Sequence, residues 1–254
     1  KRFVLIFPLL FLSLGLFAQP RYTEHFTEEA LRMDYYLGGN ADTTYVFLKG
    51  FRKLPLYSGP RNALVPGFRY GNYQVCLYDT TGEELLYVKG KSNLFDEWVV
   101  TEEAQHVPRS FKQVDVLPMP RHKVWVEVQE RRHADGKFQT LFRYEIDPTA
   151  YTISHEALPG FPVDTLLYNG PPQRKADIVL LAEAYRPEQM EKFRADAKRF
   201  MQYILSAAPF DSLRHNFNFY AVECPSADSL TDMPGDSVYA RTALHSSFYT
   251  FGTP

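Results

Sequence analysis

The sequence predicts an α+β protein: an all-β, sandwich-like N-terminal domain followed by the first β-α-β part of an α/β domain. Three observations point to it. Residues 21 to about 156 alternate apolar and polar side chains between turn signals. Two Pro/Gly clusters then interrupt the pattern between Leu158 and Pro172. From Ala176 the period changes to a continuous apolar run followed by helical spacing. The expected divisions are a signal peptide at 1–18, a β-domain with its linker at 19–170, and the opening of an α/β domain at 171–254.

The first 18 residues have the pattern of a removable export signal. Lys1 and Arg2 form a short basic start, Phe3 to Phe17 is uncharged and mostly Leu and Phe, and Ala18 supplies a small residue for cleavage before Gln19. Leu16 stands where a second small residue is usual. A membrane anchor is the competing reading, but a span needs about 20 apolar residues and this run is shorter. The expectation is export to the periplasm, cell surface or medium, with no membrane association after cleavage. Cys76 and Cys224 could be oxidised in such a compartment; two separate buried thiols are the favoured reading.

In the β-domain, Tyr73, Val75 and Leu77 alternate with Gln74, Cys76 and Tyr78, and Thr80-Thr81-Gly82 marks the following turn. Leu85 to Val88 and Trp98-Val99-Val100 read as further strands, separated by a turn centred on Gly90. Val124, Val126 and Val128 alternate with Trp125, Glu127 and Gln129. Asp135-Gly136 then returns the chain through Phe138 to Ile146, a strong hairpin signal. Short strands at this spacing suggest a sandwich or a partly open barrel.

The linker holds one extended piece, Val163 to Tyr168, between its Pro/Gly clusters, which places the domain boundary near residue 170. Beyond it, Ile178-Val179-Leu180-Leu181 has the composition of a strand covered on both faces. Pro187 suits a first helical position, with Glu188 and Glu191 in the first turns. Met190, Phe193, Ala197, Phe200, Met201, Ile204 and Leu205 share a helical face, Pro209 stops the helix, and Phe217 to Val222 forms the next strand. Strand, helix, strand implies a parallel pair. Such apolar surfaces need more sheet than these strands supply, so a large exposed apolar patch is expected.

Lys and Arg total 28 against 30 Asp and Glu, a net charge of −2, which supplies no basic field for nucleic acid. No two of the seven histidines stand four apart, so the chain has no His-Glu-x-x-His helix, and it has no Cys-x-x-Cys. There is no Gly-x-Ser-x-Gly elbow, and adjacency of His245, Ser246 and Ser247 is not triad geometry. Glu183 follows a parallel strand at its carboxyl end, where open α/β sheets place ligands; a solvated acid beside a helix start is the plainer reading. Ser226, Asp228, Ser229 and Asp232 make an oxygen-rich loop without calcium-loop spacing, which reads as surface.

Residues 177 to 251 resemble the N-terminal part of the catalytic domain of the IgA-peptidase-like secreted zinc metallopeptidases. The resemblance rests on Asp177 to Tyr185, on Met190 through Phe200, on Pro209-Phe210, on Phe217 to Val222, on Pro225-Ser226, and on Thr242 to Phe251. Leu31 to Tyr36 and Phe95-Asp-Glu-Trp98 are similar to the family's N-terminal domain. One departure is visible: the family has Gly-Glu-Gly-Tyr where this chain has Ala182-Glu183-Ala184-Tyr185. The resemblance implies a protein or peptide substrate and a zinc ion held by a His-Glu-x-x-His helix further along the polypeptide, the Glu activating water. No catalytic residue and no metal ligand carries over to positions 1–254, so this portion alone is expected to be inactive. Glu183, Ser246, Ser247 and Tyr249 are the candidates for lining the substrate cleft. The alternative is an exported, non-catalytic β-domain protein that binds glycan or protein.

Overall fold

A computed structural model describes residues 21–132 and 134–248. The expected signal peptide and Tyr249 lie outside the described residues. The chain divides into two compact units, one built from residues up to Phe51 and from Arg61 to Ile153, the other from Arg52–Pro60 and from Ser154 onward. No helix among the described residues is long and apolar enough to cross a membrane.

The first unit is a pair of four-stranded sheets. After the single turn α1 (Tyr22–His25) come β1 (Phe26–Gly39), β2 (Thr44–Leu54), β3 (Tyr73–Tyr78) and β4 (Leu85–Lys91). The short helix α2 (Leu94–Trp98) precedes β5 (Arg109–Pro120), β6 (Val124–Arg131), β7 (Phe138–Ile146) and the two-residue β8 (Ile153–Ser154). One sheet has the order β5-β1-β2-β8 and the other β4-β3-β6-β7. Alternation sets the core. Leu31, Met33, Tyr35 and Leu37 of β1 are buried, as are Tyr73, Val75 and Leu77 of β3 and Val124, Val126 and Val128 of β6.

The expected hairpin forms as read. β6 pairs antiparallel with β7, and Gly136 takes a φ of 68° in the turn, a backbone region that costs a side-chain-bearing residue energy. Trp98-Val99-Val100 is not a strand. Asn93 caps α2, its side-chain oxygen accepting from the Asp96 N–H, and Asp96 and Glu97 add negative charge to the first turn. The local cap outweighs the β propensity of the two valines, and Trp98 becomes fully buried.

A charged cluster sits inside this unit. Lys91 donates to both the Tyr35 hydroxyl and the Asp115 carboxylate at 2.5 Å, and Tyr35 donates to Asp115 at 2.9 Å. Tyr35 and Asp115 are almost wholly buried. The far face of the second sheet is polar and buried too: Gln74 donates to Gln129, which donates to Glu127. Simple alternation predicts solvent on that face; the amide pairing offsets part of the burial cost, and Gln74 Oε1 stays without a partner among the described residues.

The second unit carries the parallel pair. β10 (Ala176–Leu181) leads through α3 (Met190–Ser206) and the short α4 (Phe210–Leu213) to β11 (Phe217–Val222). β10 and β11 pair in parallel from Ala176↔Phe217 to Leu181↔Val222. The third strand is β9 (Val163–Leu167), antiparallel to β11, giving the order β10-β11-β9. The linker's extended piece is therefore a strand of this sheet, and the second compact unit takes it in. The Pro/Gly clusters bracket an edge strand, the one position where flanking prolines cost no ladder bonds.

Phe193, Ala197, Ala182, Ala221 and Cys224 form the unit's small core. Phe200 lies on the same helical face but is 54% exposed, and Val179 and Leu181 of the edge strand β10 are 49% and 44% exposed. Both cysteines are buried and free.

Candidate functional site

The candidate site lies at the carboxyl end of the parallel pair, where the segment after β10 meets the long loop after β11. Ala182 ends the strand with its N–H on the Val222 carbonyl, and is fully buried. Glu183 then turns its carboxylate to the loop. Its Oε2 accepts from the Leu244 N–H at 2.9 Å; its Oε1 accepts from the Ser246 N–H at 3.2 Å and the Ser246 hydroxyl at 2.5 Å. Burial opposes the charge on Glu183, but the Ser246 hydroxyl, the nearby Thr242 side chain and the two backbone donors outweigh it, and the carboxyl is held below its usual range.

Glu183 is thus neither a simple solvated acid nor an open ligand group. It is a clasp.

A second pin stands beside it. Ser226 is buried, and its hydroxyl oxygen accepts from the N–H groups of Ala184 at 3.1 Å and Ala243 at 2.9 Å. The Ser226 N–H returns to the Tyr185 carbonyl at 2.7 Å. Ala184 takes a φ of 62° and His245 a φ of 52°, both in the left-handed region that favours glycine. Two side chains with a β-carbon therefore hold strained backbone on either side of the clasp. The family pattern noted above has glycine at the position of Ala184, which is the signal in the sequence for that bend.

The oxygen-rich loop is tied to itself. Asp228 accepts from the Arg241 N–H at 2.9 Å, the largest cause of its lowered pKa, and from the Arg241 side chain at 3.3 Å. Asp232 accepts from the Ala240 N–H at 2.5 Å, and its own backbone bridges to Ser247. These carboxylates close turns rather than converge. Among the described residues no three His, Cys, Asp or Glu side chains come together in a way that could hold a metal ion. The described residues do not fit a zinc site.

Of the four cleft candidates, the structure joins Glu183 to Ser246. Ser247 is an exposed neighbour whose hydroxyl donates to the Phe248 carbonyl at 2.9 Å, and Tyr249 is outside the described residues. Neither of these two serine hydrogen bonds goes to a histidine. Ser226 was legible only as one loop oxygen among several; its role depends on a fold that carries it back to Ala184.

Behind the clasp, Tyr185 packs on Phe193 with ring centroids 5.3 Å apart and donates to Asp196 at 2.9 Å. Asp196 also takes Lys192 at 2.6 Å and Arg199 at 2.9 Å. The first turns of α3 are thereby locked to the segment that holds Glu183.

Comparison with known families adds two matches in chain order. The family model for the Peptidase M64 N-terminus matches residues 21–143, and that for IgA Peptidase M64 matches residues 165–254. A comparison with curated proteins found no match. The first match spans most of the β-sandwich unit together with residues 52–60 of the second, and the second match covers the parallel β-α-β unit with its clasped loop. The chain belongs to the IgA-peptidase-like M64 peptidase family.

Proposed function

We propose that this chain is the N-terminal portion of a secreted, zinc-dependent endopeptidase that acts on protein or peptide substrates. The observation that carries the reading is the pairing of the two family matches with a parallel β-α-β unit whose strand ends support a fixed loop. Open α/β sheets bind ligands at that end. In this reading Glu183 and Ser226 position the 242–248 segment as one wall of the substrate cleft, with Ser246 and Ser247 along it. The zinc ion, and the glutamate that activates water, come from a His-Glu-x-x-His helix elsewhere in the polypeptide, as the family resemblance implies. The leader at 1–18 accounts for secretion.

The test uses the product of the complete gene. It should cleave a denatured protein such as casein, lose that activity to a chelator, and regain it with zinc; the 1–254 chain should not cleave. Cleavage by 1–254 itself, or by the complete product in a chelator-insensitive manner, would contradict the proposal.

A further inference from the structure

The outward face of the first unit's β5-β1-β2 sheet carries an aromatic and cationic ledge that the peptidase reading leaves unused. β2 turns Tyr45 and Phe47 outward at the period of a strand, 57% and 55% exposed, with ring centroids 6.3 Å apart. On β1 the outward positions are Arg32, Asp34, Tyr36 and Gly38, because Leu31, Met33, Tyr35 and Leu37 point into the core. The register sets Tyr36 beside Lys112 and Gly38 beside Ser110.

Gly38 is what leaves the ledge open. A β-carbon there would stand 3.3 Å from a Phe47 ring atom and 3.3 Å from Ser110 Cβ. Its absence allows the Phe47 ring to lie over the backbone and leaves a shallow groove of about 360 Å³ lined by Gly38, Asn40, Tyr45, Phe47, Arg109 and Ser110. Covering Gly38 accounts for Phe47. It does not account for Tyr45, which is equally exposed alongside.

The charges on this face are unbalanced. Asp34 is already held by Arg32 in a two-pronged pair at 2.7 and 2.9 Å, and the field of Lys49 and Lys112 reaches the same carboxylate. Neither lysine makes an ion pair within 4 Å among the described residues, and both are exposed. Three cations surround one acid, in a chain whose net charge is −2. The excess is local.

We infer that this ledge binds an anionic polysaccharide, with sugar rings stacked on Tyr45 and Phe47 and their carboxylates taken by Lys49 and Lys112. The flat pyranose face matches rings presented on a sheet, and the positive rim matches uronate carboxylates. The inference concerns the β-unit alone and does not depend on the peptidase reading.

Affinity electrophoresis of the 1–254 chain in native gels containing polygalacturonate tests it. The chain should be retarded, retardation should fall as salt rises, and fully methyl-esterified pectin should have little effect. Tyr45→Ala with Phe47→Ala should weaken binding by about tenfold or more, as should Lys49→Ala with Lys112→Ala, whereas Tyr151→Ala, at a 98% exposed site, should change nothing. Tyr45→Leu with Phe47→Leu keeps apolar bulk but removes the rings, and should weaken binding equally; an unchanged melting temperature shows the fold is intact. Absence of retardation, equal retardation by the esterified polymer, or full retention by either aromatic double variant would overturn the inference, the last reducing it to ion pairing by surface lysines.

Discussion

Removing the carboxylate in Glu183→Ala should release the 242–248 segment while leaving the sheet beneath it in place. The side chain accepts three hydrogen bonds, from Leu244 N–H, Ser246 N–H and the Ser246 hydroxyl. Bonds to a charged acceptor each contribute about 1.5–3 kcal/mol when well buried. Glu183 is only half-buried, and water reclaims the freed donors, so the whole clasp is put at about 2 kcal/mol. That corresponds to roughly 30-fold faster hydrogen exchange at the Leu244 and Ser246 amides, with the β10 and β11 amides little changed. The pH dependence has a definite sign. The folded-state pKa of Glu183 is lowered, so the clasp contributes fully above the ordinary glutamate pKa of about 4.3 and is lost as pH falls through the lower, folded value. Wild-type exchange at these two amides, corrected for intrinsic rates, should therefore accelerate in strong acid, and that of the variant should not. An acceleration below about threefold in the variant, or one spread evenly over the whole unit, would refute the clasp.

Three further outcomes follow from named contacts. Ala184→Gly relieves a non-glycine residue at φ 62° and should raise stability by up to about 1 kcal/mol, seen as a higher denaturant midpoint; a loss would show the bend is not strained. Asp115→Asn leaves the Lys91 ammonium without its carboxylate in the sandwich interior and should cost about 3–5 kcal/mol, read from urea unfolding, whereas an unchanged midpoint would place that pair in water. Val179→Lys puts a charge on the exposed face of edge strand β10 and should reduce both dye binding to apolar surface and aggregation on heating; no change in either would mean that the exposed β10 side chains do not drive association.

How far the fold could be read in advance depended on the kind of signal each segment carries. β3, β6 and β7 were legible because strict alternation met an Asp-Gly turn, and β10, α3 and β11 because the hydrophobic period switches at Ala176. β1 and β5 were harder. In β1, Arg32 and Asp34 interrupt the apolar residues with charges that pair on the outer face, and long strands of this kind lack the short, turn-bounded pattern. Trp98-Val99-Val100 failed because one capping side chain, Asn93, decides a helical turn against two β-branched residues. β9 was legible as an extended piece but not as a member of the second unit's sheet, since flanking prolines suit a linker as well as an edge strand.

The site was legible only in its residue types. Glu183 stood out at the carboxyl end of a parallel strand, but nothing local shows that its partners are Leu244 and Ser246, some sixty residues on. Ser226 is a loop serine until β11 carries it beside Ala184. Long-range closure of this kind is set by tertiary packing, to which sequence spacing is blind.

A zinc endopeptidase of the kind proposed needs a metal-binding helix that residues 1–254 do not encode, and reading the gene beyond the codon for Pro254 shows whether it is there. An open frame encoding His-Glu-x-x-His within about a hundred residues is the expected result. A stop codon directly after Pro254 would contradict it and leave the clasped loop without a catalytic centre to serve.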